Sequence, residues 1–394
     1  MKKLAFVFLF IQFMQGCTKI AYEVDTKETP FGFDYNHNHP LKDSIDRIIS
    51  HQINKGLPGI QVIIKNKDGW YLAADGLKSI EKRSPMNIHM TSWLYSISKI
   101  YTATLVLYLT EKKVLKLDEP INTYLSPGMA TRIPHSGEIT VRMLLNHTSG
   151  IRNFTVEPAY QLRQFNSPLN QPSLSEQLEF IYEKALLFDP GTDFYYSNTN
   201  YILLQYILEM VSGKSYKDLL TGIIIRPLSL NHTFFEISDQ ELVALGAPNF
   251  YFERYNNGQL ENITTWNNAI GQSLKGYGGI VAHGVDVIAF YSALLQGKIL
   301  SANSLLEMQR WIVGKGHEEA DYGLGLEYFE YVKGVPTFGH EGDNIGGTTE
   351  VLYIPANDTY IFISINAGRQ LFGKYLFKTS EAKIDLCTFL SKTK

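Results

Sequence analysis

The sequence predicts an α/β domain in which a mainly antiparallel sheet, flanked by helices, carries an inserted all-helical subdomain. Three observations lead there. Strand-like runs occur near the start, at 59–75, and again after residue 322. Helical and loop segments dominate the chain between them. The late strands follow one another through short turns, as antiparallel neighbours do. No internal repeat is visible.

The elements follow in order. In Leu41–Lys55 the apolar residues at 41, 45, 48, 49 and 53 share one helix face, and Gly56 and Pro58 end it. GIQVIIKN and GWYLAADG, joined by Lys67-Asp68-Gly69, read as a hairpin at about 59–75. After the loop carrying Pro85, Ser96–Lys113 reads as a long, strongly apolar helix. IYEKALL, SNTNYILLQYILEMVSG and YKDLLTGIIIRPL continue the helical part to about 270. GYGGIVAHGVDVIAFYSALLQG reads as a Gly-rich turn and a helix. Strands then follow at YGLGLEYFEY, VPTFGHEG, GTTEVLYIP and TYIFISINA, with turns at Gly334, Asn344 and Pro355–Asp358. A last helix covers GKYLFKTSEAKIDLCTFLSK. The expected α/β part is thus about 41–95 plus 275–394, and the helical part about 96–274. A crevice between two such parts is a usual place for a site.

Composition excludes several classes. With 44% hydrophobic and 13% aromatic residues, the bulk of the chain is neither disordered nor low-complexity. A net charge of −3 without a basic stretch argues against nucleic acid as a partner. Two cysteines, Cys17 and Cys387, cannot build a disulfide framework. Residues 1–16, MKKLAFVFLFIQFMQG, place two lysines before an apolar run. Eleven helical residues rise only about 16 Å, too short to span a bilayer, so the segment reads as a cleaved signal peptide. The small-residue-then-Cys ending resembles a bacterial lipoprotein signal, which implies lipidation at Cys17 and a membrane anchor. Residues 17–40 lack a clean period and are expected to form a tether. The His37/His39 pair within it is not expected to bind metal. Cys387 reads as a buried small hydrophobe.

Three short motifs carry chemistry. A serine and a lysine three apart on a helix share a face, so the amine can take the hydroxyl proton. Ser96/Lys99 is such a pair, but so are Ser79/Lys82, Ser380/Lys383 and Ser391/Lys394. Context selects Ser96, which starts the most apolar helix, where backbone N–H groups favour developing negative charge. Tyr196-Ser197-Asn198 opens a helix after the turn Asp189-Pro190-Gly191. His340-Glu341-Gly342 starts a strand within FGHEGDNIGG. Tyr255/Asn257 and His135/Gly137 repeat the second and third patterns in turns and loops, so each motif alone is weak.

In the order S-x-x-K, Y-x-N, H-x-G the combination is specific. It resembles the class C β-lactamase and DD-peptidase (penicillin-binding) family of serine hydrolases, as do LLNHTSGI at 144–151, YGGIVAHGVD at 277–286 and YGLGL at 322–326. The likeness runs from about 41 to 390. It implies a β-lactamase/DD-peptidase-like fold and no metal or cofactor. It also implies Ser96 as nucleophile, Lys99 easing removal of its proton, Tyr196 as general base and acid, and Asn198 holding Lys99 and the acyl side chain. The backbone N–H groups of Ser96 and Asp343 would form the oxyanion hole. His147 is expected to support a turn in NHTSG.

One departure bears on substrate. Class C β-lactamases carry Lys-Thr-Gly where this chain has His340-Glu341-Gly342. Histidine is mostly neutral at pH 7, and Glu341 replaces a hydroxyl by an acceptor-only anion. Both weaken the case for a substrate carboxylate, and Arg369 is the expected source of a replacement charge. The expected substrate is a D-amino-acid cell-wall peptide, ahead of a small ester and then a β-lactam. The competing reading is a non-catalytic wall-binding lipoprotein.

Overall fold

The computed structural model describes residues 33–316, 322–368 and 376–393. In chain order the strands are β1 (Gly59–Asn66), β2 (Gly69–Ser79), β3 (Ser84–Pro85), β4 (Thr91–Trp93), β5 (Thr233–Phe235) and β6 (Tyr251–Phe252). They continue as β7 (Glu261–Asn262), β8 (Ile280–His283), β9 (Glu327–Val332), β10 (Val335–Asp343), β11 (Thr348–Ile354) and β12 (Thr359–Ile365). Seven of them form one antiparallel sheet in the order β3-β2-β1-β12-β11-β10-β9. The two ends of the chain meet at its centre, where Ile60 pairs with Ile365.

The central strands lack polar alternation because both faces are covered. All seven residues of β12 are buried. Ile60, Val62 and Ile64 of β1 pack with Ile361 and Ile363 of β12 against helices Lys42–Asn54 and Leu376–Lys392, through Ile45, Ile49, Leu386 and Leu390. Ile63 and Phe362 face the other core, shared with helix Gly284–Leu295 and the helical part. Each such side chain contributes about 1.5–3 kcal/mol relative to its exposed state. The β-branched runs at both chain ends therefore specify one sheet between two helical layers.

Three local differences from the sequence reading bear on the site. The Gly-rich stretch contains a strand before its helix: β8 pairs with β4 and β5. Gly284 opens the helix that follows, packed so close to β12 that a Cβ there would lie 2.2 Å from the Phe362 ring. The serine helix opens with a 3-10 turn, Tyr95–Ile97, before helix Ser98–Glu111. Residues 33–40, assigned above to the tether, instead pack on the hairpin: Asn36 N–H donates to Trp70 O, and the Phe33 and Trp70 rings meet edge to face. His39 is buried, with its Nε2 3.0 Å from Asn66 Oδ1. The signal segment and Cys17 lie outside the described residues. Among those described, no helix is long and apolar enough to cross a membrane.

Candidate active site

Strand β4 delivers the chain to Ser96 through a strained turn. Tyr95 has φ +47°, a left-handed conformation costly for a bulky residue. The Leu94 N–H donates to Ile280 O of β8, which anchors this turn. Strand β10 closes on it from the other side. A Cβ at Gly342 would lie 2.2 Å from Leu94 O, so only glycine permits this approach. The H-x-G glycine thus brings the end of β10, with Asp343, against the turn that presents Ser96.

Neighbouring hydroxyls are committed elsewhere. Ser98 Oγ accepts the Ile280 N–H, and Ser197 Oγ donates to Arg152 O. Ser96 keeps part of its surface open to a cleft of about 180 Å³. Asn198, Thr155, Asp343 and Asn344 give that cleft its polar rim, and Ile270 and Leu274 line an apolar wall. A larger cavity of about 470 Å³ lies beside Tyr35, Lys42, Asp46 and Tyr71, where Lys42 and Tyr71 both bond Asp46. It contains none of the three motifs.

Lys99 is fully buried behind Ser96. Its Nζ lies 2.9 Å from Ser96 Oγ, 2.8 Å from Asn198 Oδ1 and 3.0 Å from the Tyr277 carbonyl oxygen. Burial pushes the ammonium well below its ordinary pKa, against a weaker opposing pull from Glu327. A neutral amine has two N–H donors and one lone pair. Once neutral, the amine would give its two donors to the carbonyl oxygens and turn its lone pair to the Ser96 hydroxyl proton. Tyr196, two residues before helix Asn198–Ser212, hydrogen-bonds the Ser96 hydroxyl, and burial holds its phenol well above the usual value. Burial thus favours the neutral form of the amine and of the phenol on either side of one serine.

The third motif divides between the two faces of β10, as successive strand residues must. His340 faces inward and is completely buried. Tyr322 donates its hydroxyl to His340 Nε2 at 2.8 Å, and Nδ1 donates to Glu341 O at 2.5 Å. Burial, reinforced by Lys99, depresses its pKa to about 3, so the ring is neutral. Glu341 points to the opposite face, where its carboxylate accepts from Lys383 of the terminal helix at 2.8 Å. The expectation that Glu341 stands beside the substrate is corrected accordingly. Asp343 and Asn344 line the cleft instead.

The sequence reading missed several participants: the Tyr277 carbonyl, Tyr322 and Glu327. The carboxyl of Glu327 accepts the Glu341 N–H at 2.8 Å, and burial together with Glu341 pushes its pKa up to about 8. YGLGL carries the family resemblance, but neither the Tyr322 hydroxyl within it nor Glu327 just after it belongs to a motif that signals a role. Arg369 lies outside the described residues. Cys387 is buried beside Glu350, as expected of a small apolar residue. Among the described residues no three His, Cys, Asp or Glu side chains stand grouped to hold a metal ion.

The sequence matches the Beta-lactamase family over residues 45–374. It is 24% identical to penicillin-binding protein 4* of Bacillus subtilis, covering 84% of this chain and 72% of that one. It is 27% identical to a putative D-alanyl-D-alanine carboxypeptidase of Escherichia coli O157:H7, over 81% of this chain and 78% of the relative. Its fold superposes on a D-stereospecific amidohydrolase from a Streptomyces species with a TM-score of 0.75, at 24% identity, covering 89% of this chain and 99% of that one.

Proposed function

The chain belongs to the beta-lactamase family of serine hydrolases, and from that premise we propose that it cleaves an amide of a D-amino acid through an acyl-enzyme on Ser96. The observation that carries this is the buried Lys99 amine, 2.9 Å from Ser96 Oγ with its other two partners both carbonyl oxygens. Ser96 Oγ attacks the substrate carbonyl carbon as its proton passes to Lys99. The tetrahedral oxyanion faces the N–H groups of Ser96 and Asp343, and losing one such donor costs about 10²–10³ in rate. The C–N bond breaks as Tyr196 gives its proton to the departing nitrogen and takes one from Lys99. Water then attacks the ester by the reverse route and frees Ser96. We assign the first proton to Lys99, whose charged form burial disfavours, rather than to Tyr196 as the family likeness alone implied.

The substrate class rests on two supports. The relatives include a D-stereospecific amidohydrolase and a putative D-alanyl-D-alanine carboxypeptidase. His340-Glu341-Gly342 stands where class C β-lactamases carry Lys-Thr-Gly, and His340 is neutral and buried while Glu341 is held by Lys383. This disfavours a β-lactam. Arg369 is retained as the proposed cation for a substrate carboxylate, and Arg369→Ala should then impair only carboxylate-bearing substrates.

Incubation with a fluorophosphonate, followed by mass spectrometry, should place the adduct on Ser96. A panel of D-amino-acid amides, D-Ala-D-Ala peptides, small esters and a penicillin should rank the amides first, and Ser96→Ala should lower every rate at least about 10⁴-fold. An adduct on Ser98 or Ser197 would overturn the assignment. Full inertness of the wild type would favour the wall-binding reading. We further propose export with lipidation at Cys17, because residues 1–16 read as a signal peptide whose small last residue precedes that cysteine. A fatty-acid analogue should tag the wild type and not Cys17→Ala; an untagged wild type rules the anchor out.

A further inference from the structure

We propose that His147 is the positioning residue for Tyr196, holding the phenol against Ser96 by gripping the backbone on both sides of it and packing on its ring. This rests on the Ser96 acyl-enzyme reading above. Helix Val141–Leu145 ends just before His147, which takes φ +62°, a left-handed conformation unfavourable for a non-glycine residue. In that conformation its carbonyl accepts the Tyr195 N–H at 3.0 Å. Its Nδ1 accepts the Ser197 N–H at 3.3 Å. The residues before and after Tyr196 are thereby tied to one side chain and its own peptide.

The ring completes the clamp. Its centroid lies 4.4 Å from that of Tyr196, tilted by 44°. Asn200 Nδ2 donates to the same Nδ1 at 3.1 Å, and the amide is oriented by Ser149, whose hydroxyl donates to Asn200 Oδ1 at 2.8 Å. Two donors converging on Nδ1 place the imidazole proton on Nε2. That nitrogen is buried and has no hydrogen-bond partner among the described residues. It sits among the rings of Tyr196, Tyr201 and Tyr322. A turn-supporting residue would need only the carbonyl bond. A strained backbone, a doubly fixed tautomer and an orphaned N–H within the aromatic cage are explained together if the ring's task is to hold Tyr196.

The test is a double-mutant cycle on Ser96 acylation by a fluorophosphonate and on turnover of a chromogenic ester, using full-length protein. His147→Ala should slow acylation about 10–100-fold with KM changed less than about threefold, since a misplacement near 1 Å can cost 10² in rate. Added to Tyr196→Phe, it should cost nothing more, because a residue acting through Tyr196 has nothing left to position. His147→Asn keeps an acceptor oxygen near the Nδ1 position and tolerates positive φ, and it should restore the rate to within about fivefold of wild type. If His147→Ala does not fold, His147→Leu, which fills the space without accepting a hydrogen bond, takes its place in the cycle. Losses that multiply in the double variant, or a folded His147→Asn as slow as His147→Ala, overturn the proposal while Ser96 labelling stands. A wild type that takes no probe at Ser96 overturns the acyl-enzyme reading, and this inference with it.

Discussion

Two lysines are buried in this protein to nearly the same degree, Lys99 at 0% exposure and Lys383 at 3%, and they are driven in opposite directions. Lys99 meets two carbonyl oxygens and a hydroxyl, and burial takes its pKa far down. For Lys383 burial pulls the same way, but Asp343, Glu350 and Glu341 outweigh it and hold the ammonium above its usual range. Loss of solvent is common to both; the formal charge of the neighbours decides the outcome. Buried among dipoles, a lysine becomes a base. Among carboxylates it becomes a structural ion that ties the terminal helix to the back of β10.

The comparison can be broken at either end. The largest effect is expected at Lys99. Lys99→Met should lower the acylation rate at least about 10³-fold while costing only about 1–3 kcal/mol of stability, the penalty for leaving two carbonyl oxygens unpaired. Wild-type kcat/KM should fall at low pH, along an acid limb well below the ordinary lysine range, because protonation removes the acceptor. A limb near the ordinary lysine value would show that Lys99 rests charged. Lys383→Met should do the converse. It strands Glu341 and Glu350 and should cost about 3–5 kcal/mol in denaturant unfolding, with acylation of the folded protein within about tenfold of wild type. Equal losses of rate and stability at both lysines would erase the distinction.

Smaller effects sharpen it. Glu341→Thr removes one of several carboxylates facing Lys383 and should cost about 1–2 kcal/mol without changing the preference between charged and neutral substrates. A selective gain on carboxylate substrates would place Glu341 in the cleft after all. Glu350 gives the smallest signal. Burial, against the pull of Lys383, raises its pKa to about 7, above the unfolded value near 4.5. The folded protein therefore keeps a proton that the unfolded chain releases, and this contribution, complete below about pH 4.5, is lost as pH rises toward 7. Glu327, raised to about 8, adds to the same slope. Neutral His340, depressed to about 3, works in the other direction below pH 6.5. Buried Lys99 opposes this slope, because the unfolded chain keeps a proton on it that burial disfavours, so Glu350 is read as a difference: between pH 6.5 and 8 the wild type should lose about 1 kcal/mol relative to Glu350→Gln.

Much of this site was legible because its chemistry is local in sequence. Ser96 and Lys99 are one helical turn apart, and Tyr196 and Asn198 flank a helix start, so spacing alone puts each pair together. The Tyr277 carbonyl was hidden because any residue can offer one. Lys383 was visible only as one of three incidental S-x-x-K matches, since its partner Glu341 lies 42 residues earlier on another element. Strand period could have separated Glu341 from His340 and Gly342, but the motif was read as a unit although its residues alternate across β10. Strand β8 was missed because four residues between glycines and a helix leave no alternation to detect. The packed segment 33–40 contains no periodic pattern, and what fixes it is contact with Trp70 and Asn66.

The meeting of β1 with β12 also sets a timetable for folding. Ile60 finds its partner at Ile365 only after roughly 300 further residues have been made, so the centre of the sheet is among the last parts that can form. Until then the first hairpin presents an open, apolar strand edge, the kind of surface that invites pairing with the wrong chain. The helical part has no such wait, since its contacts are mostly closer in sequence. Ser96 and Lys99 can thus be brought together early, but the strand that completes the turn around them arrives late. Catalytic competence, on this order of events, is the final stage of folding.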